Sequence, residues 1–281
     1  NDAGALALSR RALRRPNVEP ASHGYAHPLV WREGTVALRI PRYVMDSTME
    51  VIGAGRLLEK RVLEGRGRVS LALWTGDCLP GERELALAED AGILAINGGG
   101  GRMDRKFPSY SYLLPLTRPV GRRRQVYAAA FNENEYTELW SAAYYGYRDV
   151  LETFRRTGAP RRVKPVDIYV HFYSAEKFAA LRTLRGVYAW ARAEPLIPVF
   201  TSRYVRSVRA FFDLRMRRLG PRRFLIEAGA DLKTVRFDGE PGVPDLSRSR
   251  GVVGFRREAG SLYVALDDSP VREIALADRP G

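Results

Sequence analysis

The feature that most constrains the fold is an alternation of short apolar strands with amphipathic helices. Residues 69–74 have the apolar, short pattern of a buried strand, and residues 93–96 have the same pattern. Between them, residues 82–91 have helical spacing, and Gly92 follows where a helix would end. Alternating strands and helices predict a parallel sheet, either open or closed into a barrel.

A second stretch of the chain repeats this plan. The sequence predicts a strand over 166–172, a helix over 175–191 and an approach to another strand over 195–200; a further helix is predicted over 45–63. In parallel α/β folds the functional residues collect at the carboxyl ends of the strands. His171, at the end of its predicted strand, is therefore expected on a functional rim.

After about Pro221 the pattern changes to short strands separated by glycine, proline and aspartate turns. The predicted strands are 224–227, 232–237, 252–255 and 261–266. We expect a small antiparallel β unit without a helix longer than two turns. The predicted division is an α/β domain over 1–220 and a β-rich accessory domain over 221–281.

The net charge of +14 raises the possibility of nucleic-acid binding. The excess comes almost entirely from arginine, however, and the basic residues are dispersed without an alternating ladder of aromatic residues. We expect no specific nucleic-acid partner, although loose attraction to acidic polymers or an anionic surface remains open. No run of eighteen apolar residues predicts a membrane span, and a single cysteine excludes an internal disulfide framework.

The chain contains only three histidines, and their positions suggest metal chemistry. His23 and His27 are four residues apart, a spacing at which two imidazoles on a helical turn can reach one ion. His171 follows an apolar run. The alternative is that His23 and His27 are loop histidines that never bind a metal, because short motifs of this kind also occur by chance.

Seven segments, taken in order, resemble the NodB-type polysaccharide deacetylases, and within that family the deacetylases of the Pel exopolysaccharide. The likeness extends over roughly 20–264, and the order of the segments is more specific than the two spaced histidines alone. The segments are 21–28, 74–80, 95–99, 132–140, 145–148, 160–165 and 169–174. The resemblance implies an incomplete NodB-like (β/α) barrel followed by the small all-β C-terminal unit.

The resemblance also implies an activity. In this family one aspartate and two histidines hold a divalent metal, usually Zn²⁺, while a second aspartate acts as base and a late histidine as acid. Carried over, His23 and His27 are metal ligands and His171 is the catalytic acid. The implied reaction is the N-deacetylation of an acetylated amino-sugar polysaccharide, such as a partly acetylated galactosamine polymer, with release of acetate. A periplasmic or extracytoplasmic location is implied, with other exopolysaccharide biosynthesis or export proteins as further partners.

The family's two aspartates have no counterpart before His23. Asp2 and Glu19 are the carboxylates in that stretch, and neither has the family's motif. We expect that the chain begins within the deacetylase domain, downstream of these aspartates. On its own it should bind metal weakly and turn over little substrate.

Seven further residues are candidates for substrate binding, because aromatic rings can stack on sugars and amides can bond hydroxyl or acetyl groups. They could equally be packing residues of loops. The candidates are Trp74, Asp77, Asn97, Asn132, Asn134, Tyr136 and Trp140. If they bind sugar without catalysis, the chain would be a carbohydrate-binding or structural module of an exopolysaccharide biosynthesis protein.

Overall fold

A computed structural model describes residues 2–278 of the chain. The chain forms two compact units, which divide between Val199 and Phe200, upstream of the predicted boundary at 220/221. Helices and strands both contribute to the structure. Within the described range, no helix has the combination of length and apolarity that a membrane crossing requires.

The first unit contains five helices among its described residues. They are α1 (Ala3–Leu13), α2, α3 (Glu82–Asp90), α4 (Val150–Arg156) and α5 (Phe178–Ala193). Helix α2 is one helical run in which the α-helical turn Ala54–Leu58 lies between two π-helical turns, Met49–Gly53 and Glu59–Leu63. Helices predicted over 45–63, 82–91 and 175–191 are thereby confirmed, with ends shifted by a few residues.

The strands of this unit are short. They are β1 (Pro28–Val30), β2 (Thr35–Val36), β3 (Leu71–Leu73), β4 (Leu94–Ile96), β5 (Thr117–Val120) and β6 (Arg123–Val126). The pair β3–β4 is parallel and α3 connects it, so the predicted β-α-β unit is confirmed. Parallel bridges extend this pair on both sides, from Ser22 to Ala72 and from Gly99 to Ala128. No closed barrel forms among residues 2–278.

Hydrophobic packing holds the β-α-β unit together. Leu85 and Ala88 lie three apart on α3, on the face that packs against Trp74 and Ala95 at the ends of the strands. A second cluster, around Phe154 on α4 and Val187 on α5, supports the region that carries His171. Two packed hydrophobic clusters of the first unit therefore support the segments that carry the candidate residues.

Two strand predictions are wrong. Residues 166–171 form no strand and join no sheet. The reason is that side chains replace backbone partners here: the Asp167 carboxylate accepts the N–H of Ala129, and the Glu133 carboxylate accepts the N–H of His171. Residues 195–200 lead into a helix instead of a strand.

The second unit begins with that helix, α6 (Thr201–Phe212). Ser202, Val205 and Val208 are buried at helical spacing, which explains why a helix forms. Its strands are β7 (Arg215–Gly220), β8 (Arg223–Glu227), β9 (Thr234–Asp238), β10 (Val243–Pro244), β11 (Val252–Glu258), β12 (Ser261–Leu266) and β13 (Val271–Ala277). They form two antiparallel sheets, ordered β10-β13-β8-β7 and β11-β12-β9, over a shared apolar core.

Candidate metal centre and active site

His23 lies at the carboxyl end of β3. Its segment runs beside that strand, because the Ser22 N–H donates to the carbonyl of Leu71 and the Leu73 N–H donates to the carbonyl of Ser22. The Nδ1 atom of His23 then donates to the carbonyl oxygen of Leu73 at 3.0 Å. A carbonyl can only accept, so Nδ1 carries the hydrogen and Nε2 is the atom that can bind a metal.

The interior environment keeps His23 uncharged. Burial lowers the pKa of His23 from 6.5 to about 4, because the charged imidazolium is disfavoured away from water; the hydrogen bond to Leu73 opposes this effect. The positive charges that His27 and His171 can carry also lower the pKa of His23. Both effects favour the neutral imidazole that metal coordination requires, and His171 is near enough to His23 to contribute.

His27 approaches His23 edge-on. The two ring centroids are 5.0 Å apart and the ring planes are inclined by 79°. His27 has a left-handed backbone with φ of 56°, which is uncommon for a residue other than glycine. Its Nδ1 atom is buried and finds no hydrogen-bond partner in the described part of the chain. A buried, unpaired nitrogen beside a second neutral imidazole is the kind of atom that a metal ion would satisfy.

A buried carboxylate fixes the turn between these histidines. Glu50, on α2, is 1% exposed, and its Oε2 accepts the backbone N–H of Tyr25 at 2.6 Å and of Ala26 at 3.0 Å. Its Oε1 accepts the hydroxyl of Tyr43 at 2.6 Å. This role could not be predicted from the sequence, since Glu50 is one of many helical glutamates until the turn it binds is located.

His171 is paired with a second buried carboxylate. Its Nδ1 lies 2.9 Å from Oε1 of Glu133, and the same oxygen accepts the backbone N–H of His171 at 3.0 Å and the hydroxyl of Ser174 at 3.2 Å. Glu133 is 1% exposed, and its other oxygen, Oε2, is buried without a partner among residues 2–278. This pairing orients the imidazole and places its Nε2 as the atom free to exchange a proton. Glu133 lies inside a segment that carries the family resemblance, but the sequence did not single it out.

Asp167 joins the His171 segment to the segment that carries Glu133. Its Oδ2 accepts the N–H of Ala129 at 3.0 Å and of Ala130 at 3.5 Å. Burial raises the pKa of Asp167, while these hydrogen bonds and the charge of Lys164 lower it. The Nζ of Lys164 is itself buried and unbonded within the described residues. These contacts brace the backbone on both sides of the Glu133–His171 pair.

Three of the predicted substrate-binding residues are buried, and a fourth is exposed but bonded within its own turn. Trp74 is 2% exposed and packs edge-on against another tryptophan, and Asn97 is 4% exposed and donates to the Trp74 carbonyl at 3.0 Å. Tyr136 is 5% exposed and lies under the guanidinium of Arg102 at 4.3 Å. Asp77 is exposed, but its Oδ1 accepts the N–H of Leu79 in its own turn. In this conformation the three buried side chains support the site and present no face to a sugar.

The other three predicted residues lie beside His171. Asn132 accepts the N–H of Asn134 at 3.0 Å, and Asn134 accepts the hydroxyl of Tyr173 at 3.1 Å. The Trp140 ring lies 5.2 Å from the ring of Tyr173, which is stacked on His171. The structure therefore connects Asn134 and Trp140 to His171 through Tyr173, and Asn132 to Asn134.

The metal-ligand set is incomplete in the described structure. Among residues 2–278, no group of three or more His, Cys, Asp and Glu side chains is arranged to hold a metal ion. His23 and His27 offer two nitrogen ligands, and a third donor would have to come from outside this group. Compared with known proteins, the chain matches no family model, no curated protein and no solved structure.

Proposed function

We propose that this chain is part of a metal-dependent N-deacetylase that removes acetyl groups from an acetylated amino-sugar polysaccharide, such as a partly acetylated galactosamine polymer. The observation that carries the proposal is the contrast between its three neighbouring histidines. His23 and His27 are packed edge-on and burial keeps His23 neutral, whereas His171 is bonded to a carboxylate. The first arrangement suits metal ligands and the second suits a residue that transfers protons.

The residues present fit a divalent ion as two of its ligands. His23 Nε2 is available because Nδ1 is bonded to Leu73, and the buried Nδ1 of His27 has no partner among the described residues. Imidazole suits Zn²⁺ and several other divalent ions. When bound, such an ion would polarise the acetamide carbonyl and lower the pKa of an attacking water. We propose that the third ligand and the base are carboxylates, as in the family that the sequence resembles.

The acid role belongs to His171. Hydrolysis of the acetamide breaks the C–N bond, adds water across it and gives acetate and a free amine, so the leaving nitrogen must gain a proton. His171 can supply that proton from Nε2, because Nδ1 remains bonded to Glu133 throughout. The carboxylate stabilises the charged imidazolium and fixes its direction, as a paired carboxylate does for a catalytic histidine in general.

The proposal extends to architecture and setting. We propose that the first compact unit is an incomplete NodB-like barrel, supported by the parallel β3–β4 pair and its two flanking bridges. The second unit is proposed as a small β-rich accessory domain. The resemblance also supports a periplasmic or extracytoplasmic location. It supports partners among exopolysaccharide biosynthesis or export proteins as well.

A second candidate function is a non-catalytic carbohydrate-binding or structural module. The incomplete ligand set favours it, because two imidazoles without a carboxylate form a weak metal site. Under this alternative the partly exposed aromatic residues near His171 would bind sugar without hydrolysis.

One assay separates the two candidates. The full-length protein is incubated with N-acetylgalactosamine oligomers, and acetate is measured with added Zn²⁺ and again after chelation. The deacetylase proposal predicts acetate release that chelation stops and metal restores. Oligomer binding with no acetate release under any divalent metal would reject the deacetylase proposal in favour of the binding module.

A further inference from the structure

Four rings form a continuous line that starts at the proposed catalytic acid. We call this line the aromatic row; its members are His171, Tyr173, Trp140 and Tyr144. His171 and Tyr173 are stacked at 4.8 Å with planes 7° apart, Tyr173 and Trp140 are 5.2 Å apart, and Trp140 and Tyr144 are 5.4 Å apart. Each ring of the row is thus in contact with the next.

The middle of the row is held by hydrogen bonds that originate near the site. Tyr173 belongs to the 3₁₀ turn Phe172–Ala175, and its hydroxyl donates to Asn134. The backbone N–H of Trp140 donates to the hydroxyl of Thr137 at 3.2 Å, and that hydroxyl donates to the backbone carbonyl of Glu133 at 2.9 Å. The position of Trp140 is thus tied to the residue that orients His171.

The backbone before Trp140 is strained. Glu138, Leu139 and Trp140 have φ values of 51°, 54° and 64°, so three consecutive residues other than glycine are left-handed. Such conformations are costly and concentrate at functional sites, where the surrounding structure maintains them. A loop that only covered a core would not need this conformation, and Leu139 is in fact 78% exposed.

The row is at the surface and does not belong to the core. Trp140, Tyr144 and Tyr173 are each partly exposed, and none is a member of the buried cluster beneath them. Phe172, directly after His171, is 99% exposed. Partly exposed, rigidly held aromatic rings combine an apolar face with low conformational entropy, which is the combination that stacks on the apolar face of a pyranose.

A cation lies at the far end. The ammonium group of Lys177 is 5.6 Å from the centroid of the Tyr144 ring. A deacetylated amino sugar is an ammonium ion at neutral pH, so it would meet a like charge here, whereas an acetylated sugar is uncharged. A positive charge at this end of the row would therefore favour an acetylated neighbouring sugar over a deacetylated one.

We propose that the aromatic row binds the sugars that flank the reacting residue, and that it selects acetylated over deacetylated neighbours. This inference rests on the proposed function, since it takes the polymer as the substrate of the same site. The enzyme would then act within acetylated stretches of the chain and release stretches that it has already converted.

The first test measures oligomer binding to this chain by isothermal titration calorimetry, without any requirement for turnover. The probes are the dimer and the hexamer of N-acetylgalactosamine. The expected result is tighter binding of the hexamer, and a loss of about tenfold in hexamer affinity for Trp140→Ala and for Tyr144→Ala. Tyr188→Ala is the matched control, because Tyr188 is a half-exposed aromatic residue on α5 that lies outside the row. Equal hexamer affinities for Trp140→Ala, Tyr144→Ala and Tyr188→Ala would overturn the proposal.

The second test addresses charge. The probe is the fully deacetylated galactosamine hexamer, and Lys177→Ala should bind it several-fold more tightly than the wild type at low salt, with the difference shrinking as salt is added. Lys60→Ala, an exposed lysine on α2, should not change it. No gain for Lys177→Ala over Lys60→Ala would remove the selection of acetylated neighbours.

These outcomes are distinguishable from failure of the deacetylase proposal. If hexamer binding is tighter than dimer binding and needs Trp140, but the full-length protein releases no acetate, the aromatic row binds sugar and the deacetylase proposal fails. Acetate release with no effect of Trp140→Ala on hexamer binding would show that the row is only packing.

Discussion

His171 is joined to the carboxylate of Glu133 twice, through a single oxygen. Oε1 of Glu133 lies 2.9 Å from the ring Nδ1 and 3.0 Å from the backbone nitrogen of His171. The ring and the backbone of the same residue are thus fixed by one buried group. The orientation of the His171 ring therefore depends on the position of the Glu133 carboxylate.

Replacing Glu133 with glutamine should reduce turnover without loss of metal binding. Glutamine preserves the shape and one acceptor oxygen but removes the negative charge that favours the imidazolium, so we expect acetate release to fall about 10–100-fold. Acetate release and metal affinity are measured on the same preparation of the full-length protein. Glu135→Gln is the matched control, because Glu135 is exposed in the same turn. Equal rates for Glu133→Gln and Glu135→Gln would contradict the role assigned to Glu133.

The three histidines should separate into two phenotypes. His23→Ala and His27→Ala should lose Zn²⁺ binding and turnover together, because a three-ligand site that loses one ligand usually loses the ion. His171→Ala should retain the ion while turnover falls by about 10²–10⁴, as for a lost general acid. Calorimetric metal titration and acetate release measure the two quantities. Loss of the ion in His171→Ala would place His171 among the ligands.

Stability should depend on pH through His23. Burial lowers the pKa of His23 to about 4 in the folded chain, compared with 6.5 for the unperturbed group. Between these values the unfolded chain binds a proton that the folded chain does not, so the free energy of unfolding decreases as pH falls from 6.5 towards 4, with a slope of up to about 1.4 kcal/mol per pH unit.

Urea denaturation of the wild type and His23→Gln in the presence of a chelator measures this dependence. The difference between the two proteins isolates the contribution of His23 from that of other groups that titrate in the same range. The wild type should lose more stability than His23→Gln across this range. Parallel curves would show that His23 is not desolvated.

Glu50→Gln should loosen the turn that carries His23 and His27. Glutamine cannot accept all three of the hydrogen bonds that Glu50 receives, and a buried donor without a partner costs about 1–3 kcal/mol. The free energy of unfolding should fall by about that amount, and Zn²⁺ affinity should fall with it. Glu33→Gln, at an exposed position, is the control. Unchanged metal affinity in a destabilised Glu50→Gln would show that the turn does not shape the site.

The parts of the fold that the sequence predicted well are those determined by local pattern. The β-α-β unit from Leu71 to Ile96 follows from apolar runs and helical spacing within a few dozen residues. The strand expected over 166–172 fails because side chains, its own Asp167 and the Glu133 of another segment, make the hydrogen bonds that join it to its neighbours. Glu133 lies 38 residues before His171, and Glu50 lies 24 residues after Ala26, so neither contact leaves a periodic trace in the sequence.

The candidate site was predictable only in outline. The small number of histidines drew attention to His23, His27 and His171, because they are the only three in the chain. Burial could not be inferred for Trp74 or Asn97, since an aromatic or amide residue at a strand end has the same sequence context whether it packs inward or lines a groove.

The left-handed backbone of His27 affects both the stability of the fold and the proposed metal binding. Histidine is less favourable than glycine at that φ, and the buried Nδ1 adds the cost of an unpaired polar atom. Glycine or asparagine at this position would relieve the backbone cost, so the metal-free protein gains stability by losing a proposed ligand. The stability of the metal-free fold and the proposed metal binding therefore place opposite demands on this one residue.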